Sequence, residues 1–258
     1  MTPRRLRFSV RKGMALILVL GCTLGWIVHR ADRQRDAVKA IERAGGEVLY
    51  DWQYRDGTMR SGGTPGGPAW LARILGPHYF DTVTHVTLPA RTTDADMGTV
   101  AALGWVERLI LDPSGLSDAG LAQLDRMTGL RWLVIDHRAI DVDSRIMPLR
   151  AISRLHGLTL AGTDVSDAGV MRLPIPGRLG LLDLEKTRVT DAGLAHIGGM
   201  SGLEDLSVEN TELGDQGLAH LRRLEKLRRL SVNRTDVSTP AVDAFRKRHP
   251  GVRIRDSN

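Results

Sequence analysis

Four aspartates, Asp118, Asp167, Asp191 and Asp215, are the residues of this chain whose recurrence first suggests chemistry, because paired carboxylates can exchange a proton with a substrate. Each, however, stands at the same phase of a repeating pattern. Three follow a hydroxyl residue, in Ser117-Asp118, Ser166-Asp167 and Thr190-Asp191. Side-chain oxygens at such a step accept from the free amides that open a helix, so helix capping is the expected role. His196 and His220 are also repeat-equivalent, but zinc takes three or four protein ligands and neither has a thiol or carboxylate partner at ligand spacing. Both are expected to stand at the surface, hydrated and without a bound ion. The glycine-rich run SGGTPGGP, residues 61 to 68, lacks the order and the lysine of a phosphate-binding loop. Cys22 is the sole cysteine, which excludes an intramolecular disulfide and thiolate clusters. No nucleophile elbow and no H-E-x-x-H helix is present. The expectation is a protein with no catalytic residue, no metal site and no cofactor.

The elements that carry these residues repeat with a period near 24 from about residue 84 onward. The clearest unit is LLDLEKTRVTDAGLAHIGGMSGL, residues 181 to 203, and Thr163, Thr187, Thr211 and Thr235 recur every 24 residues. Alternation of Leu182, Asp183 and Leu184 predicts a strand with leucines inward, followed by a turn and a short helix in which Leu194 and Ile197 point inward. Burying one such side chain contributes roughly 1.5–3 kcal/mol, but only when the next unit covers it, so a single repeat would not fold. Between Asp136 and Arg154 the Asp-Ala-Gly signature is missing, and Pro174 and Pro176 shorten the next helix. Irregular structure is expected in both places.

The unit L-x-L-x-x-T-x-V-T-D-A-G-L resembles the leucine-rich-repeat family, in particular bacterial members with a 24-residue repeat, over about two thirds of the chain. That resemblance implies an α/β solenoid, with parallel strands on the concave side and helices on the convex side of a horseshoe. It also implies protein binding as the default role, and it brings no catalytic residue with it.

Ahead of the repeats lies an uncharged segment from Gly13 to Val28, flanked by Arg4, Arg5, Arg7, Arg11 and Lys12 and then by His29 and Arg30. A spanning helix needs about 20 apolar residues, a length this segment approaches if Lys12 and Arg30 snorkel. A transmembrane signal anchor over residues 13–29 is expected, because no convincing small-x-small site follows it. Cleavage near Thr23 and Gly25, and lipidation at Cys22 in Val19-Leu20-Gly21-Cys22, remain open alternatives. Each exports the repeats, and the positive-inside rule keeps the basic tail, residues 1–12, in the cytoplasm. Residues 30–83 read as a juxtamembrane helix and N-terminal cap. In them Ala37, Val38, Ile41 and Ala44 form one helical face, Val48, Tyr50, Trp52 and Tyr54 alternate as in a strand, and AWLARIL is a short helical piece. Residues 84–258 read as the repeats with a C-terminal cap.

The formal charge of +6 is a property of the tail, since the five cations before residue 13 leave 31 of the 36 Lys and Arg against all 30 acids. Nucleic acid is therefore not an expected partner. On the strand face, side chains between and beside the inward leucines form an apolar patch of Ile110, Trp132, Val134 and Leu181 and an acidic cluster of Asp183, Glu185, Asp205 and Glu209. With Asp112 and Asp136, these residues are expected to bind a protein partner with a basic surface. The competing function is structural: contact of Arg222, Arg223, Lys226, Arg228, Arg246, Lys247 and Arg248 with anionic lipid or another polyanion.

Overall fold

The computed structural model describes residues 10–55, 58, 59, 66, 70, 79–136, 141–145, 153–173 and 178–256, and gives the backbone alone for 10–13, 15, 16, 54, 55, 58 and 59. The chain divides into two compact units, Met1–Asp36 with Tyr50–Thr82, and Ala37–Leu49 with Val83–Asn258.

In the first unit most of one long helix, Val10–Ala44, is found. The side chains of Met14, Ile17, Leu18, Val19, Leu20, Leu24, Trp26, Ile27 and Val28 are exposed. Among the described residues no helix is long and apolar enough to cross a membrane; residues 13, 15 and 16 of the expected anchor are described by backbone only. Further on, Gln34 donates to the carbonyl of Asp81 at 2.7 Å and Arg30 to the hydroxyl of Thr82 at 3.0 Å. The strand expected through Trp52 and Tyr54 is shorter. It stops at Tyr50, because Gln53 turns back: its N–H donates to the Tyr50 carbonyl and its Oε1 accepts from the Tyr50 N–H. A separate pair, β2 (Tyr54–Arg55) and β3 (Thr58–Met59), is antiparallel. The glycine-rich run apart from Gly66, and AWLARIL apart from Trp70, lie outside the described residues.

The second unit begins on the last turns of the helix, where Ala37, Val38, Ala40, Ile41 and Ala44 are buried. Gly45 takes φ +78°, and the N–H groups of Gly45 and Gly46 donate to the carbonyls of Glu42 and Ile41. That pair of bonds satisfies two orphan carbonyls and ends the helix where the Gly-Gly step predicted. A nine-stranded sheet follows in the order β1 (Glu47–Tyr50), β4 (Val83–Leu88), β5 (Arg108–Leu111), β6 (Trp132–Ile135), β7 (Gly157–Thr159), β8 (Leu181–Asp183), β9 (Asp205–Ser207), β10 (Arg229–Ser231) and β11 (Arg253–Arg255). From β4 to β11 every neighbouring pair is parallel. Strand order equals chain order, the arrangement of a solenoid in which each unit covers the last. Leu109, Leu133, Leu158, Leu182, Leu206 and Leu230 stack as one buried row in register.

Backbone bonds hand the chain from unit to unit. The carbonyls of Glu107, Arg131, His156, Gly180 and Glu204 each accept two N–H groups from the start of the following strand segment. After β7, β8, β9 and β10 the chain turns through one left-handed residue, Gly162, Lys186, Asn210 and Arg234 in turn. The recurring threonine closes that turn: Thr163, Thr187, Thr211 and Thr235 each donate their hydroxyl to the carbonyl three residues back at 2.7 Å. Helices alternate with the strands from Asp94–Ala101 to Thr239–Arg248. The helix before the prolines, Asp167–Val170, is shorter than its successor Asp191–Ile197, as the prolines predicted. Of the irregular stretch before it, residues 137–140 and 146–152 lie outside the described residues. The expected closing helix and final strand are present as Thr239–Arg248 and β11.

Candidate functional site

The recurring carboxylates are bound, but not as expected. The hydroxyl residue caps its own helix: Ser117, Ser166 and Thr190 accept from the N–H two residues on, and Ser238 from that of Ala241. The aspartate in the first turn of a helix, Asp94, Asp118, Asp143, Asp167, Asp191 or Asp215, reaches forward into the next unit instead. Asp167 accepts from the N–H and hydroxyl of Thr190 at 2.8 and 2.6 Å and from the N–H of Gly193 at 2.9 Å. Asp215 accepts from the N–H and hydroxyl of Ser238, both at 2.7 Å, and Asp94 holds Ser117 and Asp143 holds Ser166 in the same way.

This geometry also gives the signature its glycine. A Cβ on Gly193 would stand 2.5 Å from the Asp167 carboxylate, so the position must be empty for the preceding unit's acid to arrive. Two places depart from the rule. At Gly214 the cap has no hydroxyl, and Asp191 accepts the N–H alone at 2.7 Å. At the irregular unit the cap position is Asp141, an acid that cannot donate to Asp118, and Arg145 takes over with Nε on Asp118 at 2.7 Å and Nη2 on the Leu116 carbonyl at 2.6 Å. These carboxylates are mortar between repeats. His196 serves similarly, with Nε2 at 2.9 Å from the Leu173 carbonyl, and His220 is exposed.

The strand face carries two registered rows, half-exposed along most of their length, with Gly157 buried and Arg229, Arg253 and Arg255 exposed. One runs His85, Arg108, Trp132, Gly157, Leu181, Asp205, Arg229, Arg253. The other runs Thr87, Ile110, Val134, Thr159, Asp183, Ser207, Ser231, Arg255. Ile110 and Val134 are therefore direct neighbours. Trp132 lies over Gly157, where a Cβ would clash with the ring carbon Cε3, and Leu181 is the register partner of Gly157 on the next strand. The Arg108 guanidinium stands 5.7 Å from the indole centroid, a cation–π contact that fixes the ring further. The patch residues thus occupy neighbouring positions of the two rows, with Gly157 between Trp132 and Leu181. Gly157, the seat of the indole, was missed, as was His85, the register neighbour of Arg108, whose imidazole is held below its usual range by burial and then by Arg108.

The acidic cluster is assembled but largely neutralised. Arg229 grips Asp205 with two nitrogens, Lys186 Nζ lies 2.6 Å from Glu185, and Arg255 lies 3.9 Å from Glu209. Asp183 alone of the four has no cation partner among the described residues. Burial, with Glu185 and Glu209 nearby, pushes its carboxyl above the usual range, although it accepts from the Glu185 N–H at 3.0 Å. Asp112 is committed to Ser114, accepting from its N–H and hydroxyl, and Asp136 is exposed.

At the basic end the seven residues separate into two groups. Arg228 pairs with Glu204 at 3.3 Å, and Arg246 with Asp243 and Asp256 at 2.8 and 3.3 Å. Arg222, Arg223, Lys226, Lys247 and Arg248 are exposed and have no ion pair among the described residues. Among those residues no group of three or more metal-ligating side chains comes together.

No family model matches the chain, and no curated protein matches it. Among solved structures it is similar to internalin C2 of Listeria monocytogenes, at 17% identity and a TM-score of 0.49, over 68% of this chain and 74% of that one. The repeat architecture stands on the strand order, register and interrepeat bonds given above.

Proposed function

We propose that the chain is a membrane-tethered, non-enzymatic scaffold of the leucine-rich-repeat type that binds a protein through its strand face. The observation that carries this reading is Trp132, held half-exposed over Gly157 by its own strand neighbours and flanked by Ile110, Val134 and Leu181. An indole fixed at a surface before binding loses little freedom on binding, and aromatic anchors of this kind dominate interface energies. The neutralised acids make a polar rim whose charge pairs set orientation more than affinity. Asp183 and the exposed Asp136 are the acids of that face with no cation partner among the described residues, so the basic character expected of the partner narrows to these two.

The tether is supported by the nine apolar side chains from Met14 to Val28 that are exposed. With Arg4, Arg5, Arg7, Arg11 and Lys12 before them, the reading is a single-pass anchor with the repeats outside the cytoplasm. Two results test it. Full-length protein resists alkaline extraction from membranes when residues 13–29 anchor it and is released when they do not. Trp132→Ala together with Val134→Asp removes partner binding without shifting the unfolding midpoint; binding that survives both changes contradicts the strand-face assignment.

A further inference from the structure

The C-terminal end offers a second surface, independent of the strand face. Three grooves of about 710, 870 and 560 Å³ open there, and Arg222 and Arg248 line all three. Arg223 lines the first, Lys226 the second and Lys247 the third. The acids nearby do little to offset them: Asp215 is held by Ser238 and Glu204 by Arg228, which leaves Glu225. Residues 222 to 256 carry eleven Lys and Arg against four acids, while residues 30 to 221 carry twenty against twenty-six. Placement of Lys247 and Arg248 in a helix's last turn complements its dipole, but that accounts for two of the five.

We propose that this end of the repeat unit docks on an anionic phospholipid surface. Long, exposed cations with no ion pair among the described residues suit a plane of mobile headgroups, although Arg222 Nε donates to the Ala219 carbonyl at 2.7 Å, each cation adding roughly 1 kcal/mol near such a surface. The floor of the third groove is made of Leu218, Ala241, Ala244 and Phe245, so the cations rise from an apolar base. Single-stranded nucleic acid is disfavoured because bases need exposed aromatic faces. Phe245 in the third groove is buried, and His249 in the second is half-buried with its ring stacked on Phe245 at 4.6 Å, so no fully exposed aromatic face lines these grooves. The charge separation along the chain would also turn this end toward a negative surface during approach.

The test uses the full-length protein with Arg4, Arg5, Arg7, Arg11 and Lys12 changed to Gln, so that the basic tail adds no anionic contact of its own, and vesicles of phosphatidylcholine alone and of phosphatidylcholine with one-third phosphatidylglycerol. Binding to the neutral vesicles reports the apolar segment, so loss of the tether and loss of this contact are read separately. Partition onto the anionic vesicles is expected to be at least about tenfold stronger at low salt, and to lose that excess at high salt as screening shortens. Changing Arg222, Arg223, Lys226, Lys247 and Arg248 to Gln removes the excess at an unchanged unfolding midpoint, while Arg222→Lys with Arg223→Lys and Arg248→Lys keeps it. An excess that survives the five Gln changes overturns the proposal, as does tighter binding to a duplex DNA oligonucleotide than to the anionic vesicles.

Discussion

The carboxylate of Asp167 accepts from both the backbone N–H and the hydroxyl of Thr190, at 2.8 and 2.6 Å, across the boundary between two repeats. Thr190 meanwhile caps its own helix by accepting from the Ala192 N–H. One hydroxyl therefore ties helix initiation in one unit to the acid of the unit before, which couples the stability of neighbours.

Asp167→Ala is expected to cost about 2–4 kcal/mol, since three charge-assisted bonds are lost and two N–H groups are left without partners. Thr190→Val should cost less. In a double-mutant cycle the pair should couple by about 1 kcal/mol or more. Urea unfolding of the four proteins measures this, and strict additivity would show that the contact contributes nothing of its own.

Gly214→Ser is expected to stabilise the protein by about 1 kcal/mol. The residue is already extended, at φ −109°, and its Cβ would meet the Asp191 Oδ2 at 3.2 Å, where a hydroxyl could donate after a small adjustment of that side chain. A lowered thermal midpoint would mean that the adjustment costs more than the bond returns.

Arg234 and Lys186 hold the left-handed conformation that Gly162 supplies in its own unit. Arg234→Gly should therefore gain up to about 1 kcal/mol, and Gly162→Ala should lose a similar amount. Opposite signs in chemical denaturation confirm the turn geometry; equal signs contradict it.

The pH dependence follows from two opposing sets of carboxyls. Hydrogen bonds from Ser117, Ser144 and Ser238 hold Asp94, Asp141 and Asp215 below the usual 3.8, so their stabilisation is present above that value and is lost as pH falls through their lower folded values. Asp183, raised first by burial, has the reverse sign: it favours the folded state below 3.8 and this is lost as pH rises through its higher folded value. Asp183→Asn should thus raise the urea midpoint near neutrality and leave it unchanged in acid. A flat midpoint below about pH 3.8 would contradict the assignment for the other three.

The repeat period, the inward leucines and the strand rows were legible because each recurs every 24 residues, and recurrence separates packing from chance. Asp-Ala-Gly was legible as a signature but not as a mechanism. A cap and a forward link require the same residue types, and only the distance from Asp167 to Gly193 distinguishes them. The face residues Ile110, Trp132, Val134 and Asp183 could be placed from alternation alone. Charge compensation could not, because Arg229 meets Asp205 across a strand pair, at a separation set by register. Trp52 was misplaced for a local reason, the return of Gln53 onto Tyr50, which alternation does not encode.

The central claim is that the strand face around Trp132 is where a protein partner sits. The most direct measurement places a photo-cross-linking residue at Val134 on that face, or at Ala122, exposed on the helical side, in the full-length protein in its native membranes. The account predicts one protein adduct from position 134, abolished by Trp132→Ala at an unchanged unfolding midpoint, and none from position 122. Adducts from position 122 alone, or an adduct from 134 indifferent to Trp132, would contradict it.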